Sequence, residues 1–104
     1  MFSIVQKVYG MVKELVTIMP LMVLIPDSQG SYPLHIAIHN QQRYDVICIL
    51  YKAYPNTGKI RDLKTQLLPF MLAAVDNWDE NVNNDQLTIT YLLLRDDPLL
   101  VFWV

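Results

Sequence analysis

The sequence predicts an all-α fold: a solenoid of helical pairs, about two and a half units long, with short hairpin-like loops between the pairs. Three observations favour this fold: apolar residues at helical spacing, a segment pattern that recurs roughly every 33–36 residues, and prolines at matching helix ends. A chain of 104 residues fits one domain, 1–104. Its expected units are a partial one at 1–26, a central one at 27–61 and a C-terminal one at 62–104 with an insertion at 76–85.

Five helices are expected in order along the chain. In the first, apolar residues recur at i, i+3 and i+4, which is typical of an amphipathic helix. Pro33 and Pro69 suit the first position of two further helices, because a proline there loses no helical hydrogen bond. The expected ranges are 2–18, about 34–41, about 44–53, 69–77 and about 86–95.

Three segments that end in proline can be superposed. Residues 45–55 (DVICILYKAYP) align with 88–98 (TITYLLLRDDP), with apolar residues, a cation and the final proline in matching places. Residues 10–20 (GMVKELVTIMP) form a more divergent copy. Each copy is typical of a helix that ends just before a proline. Three equivalent helices are therefore expected to lie side by side.

The segment before the second of these helices carries a family resemblance. Residues 32–37 (YPLHIA) resemble the Thr-Pro-Leu-His-x-Ala signature of the ankyrin repeat family, and 27–30 (DSQG) resemble its Asp-x-x-Gly hairpin turn. In the next unit only 68–74 (LPFMLAA) remains of the signature, without its Thr and His, and Gln66 stands where the glycine is expected. The chain is thus similar to divergent ankyrin arrays over 11–104. Gln41 and Gln42 replace the family's Gly-His pair between the two helices of a unit.

The resemblance implies a module that binds another protein on a concave face, with no catalysis and no cofactor. Its contacts would come from the hairpin loops and the inner helices. In the central unit the implied contacts are Ser28, Gln29, Ser31, His39 and Asn40. In the C-terminal unit they are Leu63, Lys64, Leu67, Val75 and Asp76. The apolar tail 99–104 should dock on a partner or on further chain, with Trp103 as an anchor.

Composition limits the other classes of function. Apolar residues make up 53% and charged residues 17% of the chain, against about 45–50% and about 25% in typical domains. This apolar excess favours an alternative: a structural subunit, or an excerpt of a longer array, packed in a large and even membrane-associated complex. Residues 65–104 hold one Arg against six acids, which argues against nucleic acid as a partner. The longest apolar run, 16–25, is too short to span a bilayer and contains Pro20.

Few residues suggest chemistry. His35 and His39 are four apart, but no Cys or acid nearby completes a metal site, and the resemblance gives His35 a structural role in bonding the turn before its helix. The lone Cys48 fits buried packing and favours a reducing, intracellular compartment. Asp76, Asp79, Glu80 and Asp85 crowd one loop without a calcium-binding spacing. Two questions stay open. The cluster of basic residues between the units either binds an acidic segment or is solvated; its members are Lys59, Arg61 and Lys64. Trp78 either packs in the core or contacts a partner.

Overall fold

The structure, a computed structural model, describes the backbone of residues 2–75, 78 and 85–95 and the side chains of the same residues from 9 onward. Within these ranges the chain is helical and contains no β-strand, so the all-α class is confirmed. The α-helices are α1 (Phe2–Ile18), α2 (Pro33–His39), α3 (Tyr44–Ala53), α4 (Pro69–Val75) and α5 (Gln86–Arg95). Two 3-10 helices, Pro20–Leu24 and Pro55–Lys59, follow α1 and α3.

The helix ends agree with the residues that cause them. Pro33 and Pro69 are the first residues of α2 and α4, as expected. Helix α2 ends earlier than predicted because Gln41 adopts a left-handed conformation, with φ of 55°. The Gln41 N–H then donates to the Ile38 carbonyl at 2.9 Å and the Gln42 N–H to the Ala37 carbonyl at 3.0 Å. This is the Schellman arrangement, in which glycine usually occupies the position of Gln41.

The backbone that follows α1 recurs after α3, 35 residues later. The two 3-10 helices begin at Pro20 and Pro55 and have the same length. Their hydrogen bonds match in position and length: Met22 N–H to Met19 O and Thr57 N–H to Tyr54 O are both 3.0 Å, and Ile25 N–H to Met22 O and Ile60 N–H to Thr57 O are both 3.2 Å. The sequence alignment on prolines therefore corresponds to a repeated local structure.

A turn follows each 3-10 helix, and the two turns also correspond. In the first turn, residues 27–31, the Asp27 N–H donates to the Ser31 carbonyl at 2.9 Å; in the second turn, residues 62–67, the Asp62 N–H donates to the Leu67 carbonyl at 2.9 Å. The second turn is one residue longer. Gly30 in the first turn and Gln66 in the second turn both adopt a left-handed conformation, with φ of 81° and 64°. Gln66 thus adopts the conformation for which glycine was expected.

The helices pack in two rows. Helix α3 contacts both α1 and α5, and α2 contacts both α3 and α4, which in turn packs on α5. The helices before Pro20 and Pro55 therefore lie side by side; Pro98 is outside the described residues. The core lies between the rows, and its fully buried side chains include Leu34, Ile38, Ile47, Leu72, Ile89 and Leu92. The turns beside the N-termini of α2 and α4 contact each other, since the Leu63 N–H donates to the Gly30 carbonyl and the Ser31 hydroxyl donates to Asp62.

Candidate functional site

His35 joins the start of α2 to the segment that precedes the second turn. Its ring is 1% exposed. The Tyr32 N–H donates to Nδ1 at 3.0 Å, so Nδ1 must be an acceptor and the ring proton must sit on Nε2. Nε2 then donates to the Ile60 carbonyl at 2.8 Å. His35 therefore bonds the turn before its helix, as expected, and also the segment 25 residues further along.

Burial lowers the pKa of His35 below its ordinary value, and the bond to the Ile60 carbonyl and the charge of Asp62 only partly oppose this. The ring is therefore neutral at physiological pH. A neutral ring with both nitrogens already bonded has no free acceptor or donor to offer a substrate. His35 acts as a structural link.

Asp62 is the second buried polar residue at this junction, with 4% of its surface exposed. Its Oδ1 accepts from the Ser31 hydroxyl at 2.6 Å and from the Lys64 N–H at 3.1 Å, and its Oδ2 accepts from the Thr65 hydroxyl at 3.1 Å. Burial by itself raises the pKa of this carboxyl group, but these three hydrogen bonds lower it below its ordinary value. Asp62 is therefore ionised and fixes the second turn against the first.

Asp27 accepts hydrogen bonds from backbone N–H groups of the first turn, as Asp62 does in the second turn. Its Oδ1 accepts from the Gln29 N–H at 2.9 Å and from the Ser31 N–H at 3.0 Å. Asp27 is exposed, whereas Asp62 lies under Ser31 of the preceding turn. Each aspartate thus shapes its own turn, and Asp62 also attaches its turn to the neighbouring one.

A polar pocket of about 230 Å³ opens between the two turns and the C-terminal end of α2. We call it the polar pocket. Four side chains on it, Gln29, His39, Asn40 and Lys64, are exposed and make no hydrogen bond or ion pair within the part of the chain that the structure describes. They offer an ammonium group, two amides and an imidazole. Such a set can donate to the carbonyl or carboxylate groups of a partner and accept from its N–H groups.

The polar pocket brings together five of the residues expected to contact a partner: Gln29, Ser31, His39, Asn40 and Lys64. Within this group Ser31 is buried and its hydroxyl is bonded to Asp62.

The other expected residues that the structure describes are not part of the pocket lining. Ser28 is exposed on the first turn, and Leu67 is half-buried and packs against the core. Leu63 and Val75 are each 64% exposed. Asp76 and Trp103 lie outside the described residues.

Sequence reasoning did not place the other five lining residues in the pocket: Asp27, His35, Ile36, Asp62 and Thr65. A signal for Asp62 existed, since the alignment of Pro20 with Pro55 places Asp62 over Asp27. No pattern indicated Thr65, whose position depends on the extra residue in the second turn.

Outside the pocket, Trp78 is 5% exposed and belongs to the core, which decides between its two expected roles. Cys48 is half-buried against that core. Arg61 donates from Nη1 to the Gln66 carbonyl at 2.9 Å, so this cation supports the second turn. In the described ranges, no three His, Cys, Asp or Glu side chains lie close enough together to hold a metal ion.

None of the described helices combines the length and the apolar character needed to cross a membrane. No family model, no curated protein and no solved structure matches this chain. The role of the polar pocket therefore has to be inferred from its own geometry and from the arrangement of the helices around it.

Proposed function

We propose that the chain is a divergent ankyrin-type solenoid that works inside the cell as a protein-interaction module without catalysis. Its partner binds on the concave face formed by the hairpin turns and the inner helices α2 and α4. The observation that carries the proposal is the polar pocket, in which unbonded side chains from both turns and from the end of α2 converge.

The packing around the pocket supports a recognition role. The buried side chains at this junction, His35 and Asp62, are bonded to the chain itself. Within the described residues, the side chains of Gln29, His39 and Lys64 on its surface make no hydrogen bond or ion pair. A rigid base with unbonded polar groups above it limits the entropy lost when a partner binds. The recurrence of the 3-10 helices and turns at 35 residues supports the solenoid part of the proposal.

The proposal can be tested with two matched variants. The double variant His39→Ala with Asn40→Ala removes two unbonded side chains at the C-terminal end of α2, where both residues are exposed. In the control, Asn56→Ala, an exposed amide is removed from the 3-10 helix after α3, away from the pocket lining. Wild type, double variant and control are used as baits in the native source, and bound proteins are identified by mass spectrometry.

We expect a partner that wild type and Asn56→Ala retain and that the double variant loses, with the helical circular dichroism of all three proteins unchanged. Retention of every specific partner by the double variant would contradict the proposal. Loss of helical signal in that variant would show that these side chains support the fold, which also contradicts a contact role.

A second candidate is a structural subunit, or an excerpt of a longer array, packed permanently in a large complex. One observation favours it: large apolar side chains are exposed along α1 and the segment after it. They are Met11, Leu15, Ile18, Met19, Leu21, Leu24 and Ile25. Such a patch on a free-standing protein is an aggregation liability. A chain that purifies as a stable monomer without detergent supports the interaction module, and a chain that aggregates supports the subunit.

A further inference from the structure

An apolar groove of about 300 Å³ runs between α1 and α2. We call it the apolar groove. Its lining includes Val12 and Leu15 of α1, Met22 of the following 3-10 helix, Pro33, Ile36 and Ala37 of α2, and, at its base, the buried Val46 and Leu50 of α3. It is distinct from the polar pocket, although Ile36 and Asn40 border both.

Over residues 9–18, helix α1 carries apolar side chains that the core does not cover. Tyr9, Val12 and Val16 pack against the core and hold α1 on α3. Met11, Leu15 and Ile18, at i, i+4 and i+7, form a second apolar stripe, and these side chains are 62%, 43% and 67% exposed. A surface helix normally keeps polar residues on its solvent face, so this stripe requires an explanation.

The internal repeat explains the exposed stripe. In the corresponding place one repeat further along the chain, a helix of the chain itself fills the groove. There α3 and α4 take the places of α1 and α2, and helix α2 itself lies between them and contacts both. Leu72 of α4 stands where Ile36 of α2 stands in the apolar groove. Leu72 is 2% exposed, against 38% for Ile36.

We propose that the apolar groove binds a short amphipathic helix of another polypeptide, which lies against α1 and α2 as α2 lies against α3 and α4. Helices α2 and α4 lie side by side in one row. A helix bound in the apolar groove would lie next to α2 and would extend this row by one helix. The side chains with which α2 fills its own site include Leu34 and Ile38, one turn apart and 1% and 0% exposed. The bound helix should therefore present large apolar residues at i and i+4 and no charge on that face.

Binding in the apolar groove does not depend on whether a partner binds in the polar pocket. Its probe comes from the chain itself: a fluorescently labelled, helix-stabilised peptide with the sequence of residues 31–42. Binding to the full chain is followed by fluorescence anisotropy, and the oligomeric state of the chain is measured in parallel by sedimentation velocity.

Three protein variants test the location. In Leu15→Lys a charge is placed in the apolar groove, and because Leu15 is 43% exposed the fold should tolerate it. In Thr17→Lys the same charge is placed on the exposed polar face of the same helix. In Lys64→Ala the polar pocket is altered without a change in the groove lining. Circular dichroism checks that each variant keeps its helices.

We expect saturable peptide binding to wild type, to Thr17→Lys and to Lys64→Ala, and binding at least about tenfold weaker to Leu15→Lys. A peptide with the residues corresponding to Leu34 and Ile38 replaced by Asp should not bind. Equal binding of that peptide, or no effect of Leu15→Lys, would overturn the proposal. A wild-type dimer that Leu15→Lys converts to a monomer would also overturn it, because the occupant would then be a second copy of the chain. Loss of binding in Lys64→Ala would likewise assign the peptide to the polar pocket and not to the groove.

Discussion

The Ser31 hydroxyl donates a hydrogen bond of 2.6 Å to the buried carboxylate of Asp62 and so joins two consecutive turns of the chain. The His35 ring donates to the Ile60 carbonyl beside it, and the Leu63 N–H donates to the Gly30 carbonyl at 3.4 Å. The two turns are therefore linked by polar bonds, and the helices beside them are linked by apolar packing. This junction forms the base of the polar pocket, so its stability decides how well the surface residues are positioned.

Removing the Ser31 hydroxyl should weaken this junction. A hydrogen bond to a charged group contributes about 1.5–3 kcal/mol, so Ser31→Ala should lower the free energy of unfolding by about that amount. Asp62→Ala should cost more, because Ser31, Lys64 and Thr65 would all lose an acceptor. Urea unfolding followed by circular dichroism measures both. The control is Ser28→Ala on the exposed turn, expected within about 0.5 kcal/mol of wild type; an equal loss in Ser28→Ala and Ser31→Ala would contradict the role of the bond.

The pKa of His35 makes stability depend on pH. Because its folded-state pKa lies below the ordinary value of 6.5, the unfolded chain binds a proton that the folded chain does not bind as the pH falls through 6.5. The stabilisation is therefore complete above 6.5 and is lost on acidification, by at most about 1.4 kcal/mol per pH unit for one proton. Asp62, whose folded-state pKa is also lowered, adds a further loss only below its ordinary value of 3.8. Urea midpoints between pH 8 and 5 should fall in wild type and stay flatter in His35→Gln; an identical slope in both would exclude His35 as the cause.

Gln41 should be replaceable by glycine with a gain in stability. Its φ of 55° is a left-handed conformation, which costs residues with a Cβ about 1–2 kcal/mol and costs glycine much less. We expect Gln41→Gly to raise the free energy of unfolding by about 0.5–1 kcal/mol. Lys52→Gly, in the right-handed backbone of α3, should instead lower it by about 1 kcal/mol. Thermal unfolding distinguishes the two, and a loss of stability in Gln41→Gly would argue against the Schellman end of α2.

Gly30 should tolerate no side chain. Its φ is 81°, and a Cβ built there would lie 2.6 Å from Cδ1 and 2.7 Å from Cβ of Leu63. Gly30→Ala should therefore lower the free energy of unfolding by about 2 kcal/mol. Gly10 is the matched control, since it lies in α1 with open space around it, and Gly10→Ala should stabilise by about 1 kcal/mol. If both changes have the same sign, the contact between the two turns is not formed as described.

Much of the helical organisation could be predicted from spacing and prolines. Pro33 and Pro69 mark helix starts by a local steric rule, and the apolar period of α1 and α3 does not depend on distant chain. The end of α2 was predicted less well, because Gln41 gives no sequence signal for a left-handed residue. The 3-10 helices were not predicted either, since Pro20 and Pro55 indicate only that a helix has ended.

Some residues of the polar pocket could be predicted from the sequence and others could not. Gln29 and Lys64 could be placed on turns from local pattern and family resemblance. Asp62 could not be identified as a buried group, because its burial arises from contact with Ser31, 31 residues earlier in the chain. Such pairs depend on how distant segments of the chain pack together, and a single sequence carries no direct signal for that packing.

The state of the His35 ring tests most directly whether the start of α2 is joined to the segment that precedes the second turn. Long-range ¹H–¹⁵N NMR of the uniformly labelled protein at pH 7 distinguishes the two neutral tautomers and the protonated ring. The bonds to the Tyr32 N–H and the Ile60 carbonyl require a neutral ring with its proton on Nε2, protected from solvent exchange. A proton on Nδ1, or rapid exchange of the ring proton with water, would contradict the junction between the first and second turns.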